Sequence, residues 1–284
     1  MEFDVTIGIC VRNCQNMVID TLKSVVSQDF PKDRMEVIIV DDGSTDGTLK
    51  NIKDFISDKE VKIRLFSQRW GGIASARNVV VKEAKGKYII WVDGDMRIPR
   101  NFVSQLVNFM NNHQDIGAAK GNYGWLATKK IVALLENVRA FDLQQNSPKL
   151  WGTGGSIYRT CLLREVGGFD EKNKGAGEDI DLLIRIQKKG WRVGRASVEF
   201  YEIFKETWKD LWRQYYWWGR GARFVYRKYG QGVSILPHLP PLAFLISVVK
   251  LLLLLKRHAR LAFLLLPIHY VFKEAAWCCG FFAE

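Results

Sequence analysis

The first 200 residues alternate between short apolar runs and stretches in which apolar positions recur with helical spacing. Apolar runs bounded by polar or glycine-rich segments predict strands. They occupy residues 5–11, 35–40, 61–66, 88–92 and 117–122. The spacing predicts helices at residues 18–27, 48–56, 73–84, 102–111, 131–143 and 179–189. Strands that alternate with helices predict an α/β domain with a mostly parallel sheet.

The pattern changes after residue 203. Over residues 205–229, aromatic and apolar side chains recur at steps of three or four, and Lys and Arg fill many of the positions between them. This composition is typical of an amphipathic helix that lies on a bilayer surface. The alternative is a helix that packs into a core and exposes a basic face to water.

The C-terminal 50 residues contain two apolar runs, which are separated by the basic segment 256–260. Taken as residues 235–255 and 261–282, they are 21 and 22 residues long. A membrane-spanning helix needs about 20 residues, so we predict a hairpin of two spanning helices. A re-entrant pair that lies in the plane of the membrane is the alternative.

The formal charge is concentrated in this same part of the chain. The 284 residues have a net charge of +12, and residues 203–284 contain 12 Lys or Arg but only 4 Asp or Glu. A segment that is both basic and apolar favours an anionic membrane surface over nucleic acid. The five cysteines form no disulfide pattern, and no leader precedes the first strand. We therefore expect the N-terminal part to lie in the cytoplasm.

Acidic and glycine-rich clusters follow the predicted strands, at the edge where open α/β sheets bind ligands. Asp93, Gly94 and Asp95 follow the strand at residues 88–92. On an extended chain the two carboxylates would point the same way, and such a pair favours Mg²⁺ or Mn²⁺ bound together with substrate phosphates. An ordinary surface turn is the alternative.

Three further clusters carry polar groups that suit a phosphorylated ligand. Asp42 ends the second strand and can accept hydrogen bonds from a ribose hydroxyl or a base N–H, or simply cap a turn. Gly72 and Arg77 belong to a helix start rich in small residues, where Arg77 can pair with carboxylate or phosphate, or support helix packing. Glu178 and Asp179 open a helix, where acids either complement the dipole or supply a general base.

The ordered set of motifs resembles the family 2 glycosyltransferases of the GT-A fold, over about residues 4–230. In chain order the motifs are Asn13, DDGS at 41–44, GIASARN at 72–78, DGD at 93–95, GTGG at 152–155, GGFD at 167–170 and GEDID at 177–181. The resemblance implies a Rossmann-like catalytic domain at residues 1–203. Amphipathic interfacial helices at 204–233 and membrane helices at 234–284 would follow it.

The resemblance also implies roles for individual residues. Asp95, together with Asp93, would bind the divalent cation, and Asp179, with Glu178 beside it, would be the catalytic base. Asp42 would hold the base and ribose of the nucleotide. The other residues implied to bind the nucleotide sugar are Val11, Arg12, Asn13, Gly72, Arg77, Asp93, Gly94, Gly154, Gly155, Gln214 and Trp218.

Three positions depart from the family pattern. Arg12 stands where an aromatic residue often stacks on the base, and its guanidinium plane could replace that ring. Glu202 stands where a histidine often follows the last strand, next to the metal or the diphosphate. Gln214 and Trp218 match the ends of the Q-x-x-R-W motif of processive relatives, but Trp217 replaces its arginine, which weakens a prediction of polymer synthesis.

The predicted protein is thus a membrane-bound, metal-dependent, inverting hexosyltransferase with its catalytic domain on the cytoplasmic side of the cell membrane. Its donor would be GDP-mannose or a UDP-hexose, and its acceptor a polyprenyl phosphate or another lipid-linked glycan. The alternatives are a processive polysaccharide synthase and a non-catalytic membrane scaffold that keeps a nucleotide-binding fold. No nucleic-acid partner is expected.

Overall fold

The computed structural model describes residues 2–57, 61–146, 152–173, 175–230, 233–255 and 261–283. Its strands are β1 (Phe3–Val11), β2 (Met35–Asp42), β3 (Lys62–Gln68), β4 (Gly86–Trp91), β5 (Met96–Arg97), β6 (Ile116–Tyr123), β7 (Ser156–Arg159) and β8 (Arg192–Glu202). Its α-helices are α1 (Val18–Val26), α2 (Thr48–Ile56), α3 (Ile73–Glu83), α4 (Phe102–Asn112), α5 (Ile131–Asn146), α6 (Thr160–Glu165), α7 (Glu178–Lys188), α8 (Trp208–Tyr229), α9 (Pro240–Leu255) and α10 (Leu266–Phe282). Short 3₁₀ turns occupy Lys32–Arg34, Leu236–His238 and Leu261–Leu265.

The strands form one sheet in the order β3-β2-β1-β4-β7-β6-β8-β5. β3, β2, β1 and β4 run parallel to one another, and β6 runs parallel to β8. β7 lies antiparallel between β4 and β6, and the short β5 runs antiparallel to β8. The prediction of a mostly parallel sheet is confirmed, although β7 and β8 were not predicted as strands.

Both faces of the sheet are covered by helices. Along β2, Val37 and Ile39 pack in one apolar cluster with α1, α2 and α4, whereas Ile38 and Val40 pack in a second cluster with α3, α6 and α7. Burial on both faces explains why residues 37–40 of this strand are apolar without interruption. Because β1, β2 and β4 are parallel, the loops that follow them meet at one edge of the sheet.

The chain divides into two compact units. The first comprises Met1–Gly124, Gln144–Lys174 and Glu178–Ile203, and the second comprises Trp125–Leu143, Gly175–Gly177 and Phe204–Glu284. The second unit therefore takes in most of α5, which the sequence had assigned to the N-terminal domain. Each unit has apolar clusters of its own.

In the second unit, α8 packs closely against α10. A side chain on Gly219 would overlap the Trp277 carbonyl, and one on Gly280 would overlap the Tyr216 carbonyl, so only glycine permits this approach of the two backbones. Leu211 and Tyr215 on α8 are buried in the same cluster. The predicted membrane contact of the aromatic face of α8 is thus corrected, because most of that face packs into a core while Arg213 and Arg220 stay exposed.

The predicted pair of spanning helices is also corrected. Among the described residues, the stretch Leu261–Phe282 is long and apolar enough to cross a membrane, and 44% of its apolar window is buried inside the structure. The other apolar helix, α9, has 16 residues, because the prolines near its start delay the helix until Pro240. The basic segment 256–260 lies outside the described residues.

Candidate active site

The loop after β1 is tied to the loop after β2 by Asn13. Its Oδ1 accepts a hydrogen bond from the Thr45 amide at 2.8 Å, and its own amide donates to Ser44 Oγ at 3.0 Å. Asn13 has a φ of 52°, a left-handed conformation that asparagine adopts more readily than most residues. Asn13 therefore shapes the rim at which the sequence predicted a nucleotide.

Arg12 and Trp70 form a flat surface beside this rim. The Arg12 guanidinium lies 5.2 Å from the centre of the Trp70 ring, and Trp70 is 53% exposed. Val11, which was predicted to bind the nucleotide, is instead buried in the core. The aromatic ring that is missing at position 12 is thus present nearby, supplied by the loop after β3.

Asp42 uses its carboxylate to build the loop before α3. Its Oδ1 accepts hydrogen bonds from Gln68 Nε2 and the Gly71 amide, both at 2.8 Å, and its Oδ2 accepts from the Gly72 amide at 3.0 Å. The side chain is buried, so three of its acceptor positions are already occupied. The structure thus shows a loop-forming role for Asp42, and direct contact with a ribose remains a prediction.

The Asp93–Asp95 segment is a turn and not an extended strand. The Met96 amide donates to the Asp93 carbonyl at 3.0 Å, and Thr21 Oγ1 on α1 donates to the Gly94 carbonyl at 2.9 Å. The expectation that the two carboxylates project side by side from a strand is therefore wrong in its geometry. Both side chains remain partly exposed.

Gly154 lies directly against Asp93. A side chain at Gly154 would overlap Asp93 Oδ2, so glycine is required if the carboxylate is to keep its position. The next residue, Gly155, donates its amide to the Trp91 carbonyl at 2.9 Å, which fastens this loop to the end of β4. The predicted neighbours Asp93, Gly154 and Gly155 are thus brought together.

Arg77 connects this turn to the start of α7. Its guanidinium is buried, pairs with Glu178, and lies 3.4 Å from Asp93 Oδ1. The rings of Trp91 and Phe169 lie on its flanks, with centres 5.8 and 5.5 Å from the guanidinium carbon. The structure shows the predicted pairing of Arg77 with carboxylates, which holds two acids of the site in place, and its contact with the donor stays a prediction.

Burial raises the pKa of Glu178 to about 7, and the adjacent Arg77 acts in the opposite direction. For Arg77, burial alone would lower the pKa, but Glu178 and Asp93 outweigh it and the pKa is raised. Arg77 therefore stays charged, while Glu178 titrates near neutral pH. A carboxyl group that titrates there is suited to proton transfer, and equally makes its ion pair sensitive to pH.

Asp179 is held by the loop that precedes β7. Its Oδ2 accepts a hydrogen bond from the Gly152 amide at 2.8 Å. The carbonyl of Gly152 accepts a hydrogen bond from Lys120 Nζ at 3.0 Å, and Lys120 is buried on β6. Burial lowers the pKa of Lys120 to about 8. Lys120 thus supports Gly152, the residue whose amide binds Asp179.

The acids fit a divalent cation that arrives together with a phosphorylated ligand. Searched over the described ranges, the structure shows no group of three or more His, Cys, Asp or Glu side chains able to hold a metal. Mg²⁺ is commonly held by one or two carboxylates plus substrate phosphates, and Asp93 and Asp95 supply that number of hard oxygen ligands. Asp93 has a side chain 41% exposed, which leaves it accessible.

Gln214 and Trp218 lie on α8, in the second unit. Gln214 is partly buried, and the Trp218 ring lies 4.8 Å from that of Tyr215, in an apolar cluster. Their contact with a donor stays a prediction. Glu202 ends β8, and it is one of the charges that act on Lys120.

Two residues of this site, Lys120 and Trp70, were not predicted from the sequence. Lys120 interrupts a strand of small, buried residues, and an isolated lysine in such a strand was a usable signal. Trp70 gave a weaker signal, because a large ring directly before Gly71 and Gly72 is ordinary in a surface loop.

Comparison with known proteins identifies the fold and the family. The Glycosyl transferase family 2 profile matches residues 6–159, and that of Glycosyl transferase family group 2 matches residues 88–281. The chain belongs to glycosyl transferase family 2. The prediction of a transferase is thereby confirmed at the level of the family, and the GT-A-like fold is confirmed by the solved structures described below.

Several characterised sequences resemble this chain. "Probable glycosyltransferase YdaM" of Bacillus subtilis is 30% identical over 241 residues, which is 79% of this chain and 56% of that protein. Staphylococcus aureus TarS, a "Poly(ribitol-phosphate) beta-N-acetylglucosaminyltransferase", is 32% identical over 71% of this chain and 35% of its own length. "Beta-monoglucosyldiacylglycerol synthase" of Synechocystis is 26% identical over 82% of this chain and 50% of its own. This family 2 chain thus spans about a third to just over half of these relatives.

Two solved structures show the same fold. "Mannosyltransferase PcManGT from Pyrobaculum calidifontis in complex with GDP-Man and Mn2+" matches with a TM-score of 0.68 and 19% identity, over 98% of this chain and 85% of that one. S. aureus TarS 1-349 in complex with UDP-GlcNAc matches with a TM-score of 0.54 and 18% identity, over 99% of this chain and 93% of that one.

We predict that Arg77→Ala destabilises the first unit by about 3–5 kcal/mol, because it leaves Glu178 buried without its partner. Urea unfolding followed by circular dichroism measures this loss. Arg192→Ala is the matched control, since the Arg192–Asp115 pair is exposed and should be worth less than about 1 kcal/mol. Equal losses in the two variants would contradict the positioning role of Arg77.

We also predict that Glu178 makes the stability of the protein depend on pH. A carboxyl group whose pKa is raised from 4.5 to about 7 by folding stabilises most below pH 4.5, and this contribution is lost as the pH rises through 7. The melting temperature of Glu178→Gln should therefore increase relative to that of wild type between pH 5 and pH 8. A constant difference across this range would show that Glu178 is charged throughout.

Proposed function

We propose that this family 2 protein is a metal-dependent, inverting hexosyltransferase that uses a nucleotide-sugar donor and a lipid-linked acceptor. The observation that carries the proposal is the convergence of two acidic segments on Arg77. Asp93, in the turn after β4, and Glu178, beside Asp179 at the start of α7, are both held by this one guanidinium. A non-catalytic scaffold has no need of such an arrangement of acids around a buried arginine.

In this proposal Asp179 is the general base. Its carboxylate takes the proton from an acceptor hydroxyl while that oxygen attacks the anomeric carbon of the donor sugar, and the bond to the nucleoside diphosphate breaks. One displacement inverts the anomeric configuration. The Gly152 amide fixes the orientation of Asp179 for this transfer, and Lys120 holds Gly152 through its carbonyl.

The donor would bind at the edge of the sheet where β1, β2 and β4 end. Arg12 and Trp70 offer a flat surface to the base, and the loop that Asp42 organises offers backbone amides. Asp93 and Asp95 would hold Mg²⁺ or Mn²⁺ against the diphosphate, where the ion stabilises the leaving group as a Lewis acid. The structural neighbour that contains GDP-Man and Mn²⁺ supports a nucleotide-sugar donor and a divalent cation.

The lipid-linked acceptor is supported by the second unit and by one relative. The second unit exposes leucine-rich helices and carries most of the excess positive charge. The name of the Synechocystis relative specifies a glycolipid product. Attachment to the cytoplasmic face of the cell membrane would place the site next to such an acceptor.

The first experiment replaces the proposed base. Asp179→Asn should lower the rate of sugar transfer by about 10²–10⁴-fold and leave donor binding unchanged, because only the proton acceptor is lost. Initial rates measured with a radiolabelled nucleotide sugar and a lipid-linked glycan that carries a free hydroxyl report the change. Asp54→Asn, an exposed acid on α2, should behave as wild type. An unchanged rate in Asp179→Asn would exclude it as the base.

The second experiment identifies the donor and tests the metal site. Thermal unfolding is followed with UDP-, GDP- and CMP-sugars, each with and without Mn²⁺. A ligand at about 100 times its dissociation constant adds about 2.7 kcal/mol of stability. One nucleotide should raise the melting temperature in the presence of Mn²⁺, and Asp95→Ala should abolish the effect of the metal, whereas Asp54→Ala should not. A shift that Asp95→Ala leaves intact would contradict the metal assignment.

A further inference from the structure

The outer face of α9 is apolar along its whole length. Its exposed side chains are between 46% and 61% accessible to solvent, and they are Phe244, Leu245, Val249, Leu252 and Leu253. Steps of three and four place these residues on one side of the helix. Ala243 and Ser247, on the opposite side, are buried. A surface of this size and composition is unusual for a protein that meets only water.

The apolar surface continues on the next segment of the same unit. Leu251 and Leu254 of α9 pack in one cluster with Phe263 and Leu266, so the two segments lie together. On the outside of this pair, Leu261, Leu264 and Ile268 are exposed. The charged residue of α9, Lys250, has its Nζ 3.3 Å from the Tyr270 hydroxyl on α10, and therefore does not interrupt the outer face.

The remainder of α10 is part of the folded interior of the second unit. Lys273 is fully buried, with Nζ 3.3 Å from Glu136 Oε1 on α5, and the Tyr215 hydroxyl on α8 donates to the same carboxylate at 3.1 Å. Glu274 Oε2 lies 2.6 Å from Nδ1 of His238. Buried charges are stable only with such partners, so moving α10 into lipid as a separate spanning helix would leave several of them unpaired.

The dimensions lead to the same conclusion. At 1.5 Å per residue, the 16 residues of α9 span about 24 Å, less than the hydrocarbon thickness of about 30 Å. Among the described residues, α10 exposes no further large apolar side chain between Ile268, near its beginning, and Phe282 at its end. The apolar surface therefore runs along the side of a short hairpin instead of surrounding a full-length helix.

We propose that the second unit is a monotopic anchor. The outer faces of α9 and of residues 261–268 enter one leaflet of an anionic bilayer, and none of the described helices crosses it. The unit carries exposed arginines at positions 213, 220 and 227, and residues 203–284 have 12 basic against 4 acidic residues. This charge matches anionic headgroups and opposes the apposition of two copies of the chain. The inference specifies the membrane attachment but does not depend on the proposed reaction.

The surface is tested by flotation of the full chain with vesicles of phosphatidylcholine, with or without phosphatidylglycerol. Wild type should float with the anionic vesicles. Leu245→Glu and Leu252→Glu should each lower the bound fraction about tenfold or more, because each removes a large apolar side chain from lipid. Ile131→Glu is the matched control, since Ile131 is an exposed apolar residue of α5 in the same unit, and it should bind as wild type.

Circular dichroism checks that each variant is folded. If a glutamate variant does not fold, the neutral Leu252→Gln variant is used in its place. Equal binding by wild type and the α9 variants would overturn the assignment of the surface. The wild-type protein could instead fail to bind vesicles and form a dimer that Leu252→Glu dissociates. That result would show that a second copy covers this face.

A crossing of the bilayer by α10 alone is tested by labelling with a membrane-impermeant maleimide in inside-out membrane vesicles. Ala283→Cys is introduced together with Cys278→Ser and Cys279→Ser, and the exposed Cys161 of the first unit reports the accessible side. Both Cys161 and position 283 should react without detergent. Labelling of position 283 that requires detergent would show that α10 crosses the bilayer, and the proposal would be wrong.

Discussion

The site depends on one buried guanidinium. Arg77 is almost completely removed from water, and a charge in such a place needs acidic partners at short range. It finds them in Glu178 and Asp93, which are 101 and 16 residues away along the chain. The ion pairs therefore join α3, the turn after β4 and the start of α7 into one structure. Any ligand at this edge of the sheet meets acids whose positions Arg77 has already set.

Much of the polar chemistry of the site supports its shape. Asp42 accepts hydrogen bonds from the loop before α3, and Asn13 joins the loops after β1 and β2. Lys120 binds the carbonyl of Gly152, the residue whose amide binds Asp179. Asp93 and Asp95 are the partly exposed acids, in a turn fastened by backbone hydrogen bonds. The loops are thus joined by polar side chains, and partly exposed acids remain for a ligand.

The sequence predicts a helix or strand well when one or both of its faces pack against the core. The strands β1, β2 and β4 are almost entirely buried, so their predominantly apolar runs identified them. Helix α2 begins and ends at the predicted residues. β8 was missed because it is half exposed and interrupts its apolar positions with arginine and glutamate. β7 was missed because four residues after a glycine-rich turn are too few to show a period.

The candidate site was predicted as a set of residues more successfully than as a set of roles. Motif order brought Asp93, Gly154 and Arg77 together, as in the structure, but spacing alone could not show that Asp93 and Asp95 lie in a turn. Nor could spacing show that the Asp42 carboxylate accepts hydrogen bonds from the backbone amides of Gly71 and Gly72. The aromatic face of α8 was assigned to lipid because helical periodicity shows that a face is apolar but not what covers it. In the structure α8 packs against Gly280 of α10.

The position of β7 has a consequence for synthesis of the protein on the ribosome. β4 pairs with β1 on one side and with β7 on the other, and β7 begins only at Ser156. Until that residue has left the exit tunnel, the backbone donors and acceptors along one side of the apolar β4 have no strand to pair with. An open, apolar edge is a template for pairing with other chains. About 65 residues separate the end of β4 from the start of β7. While the ribosome adds these residues, this edge of β4 stays open, and protection by a chaperone would matter most.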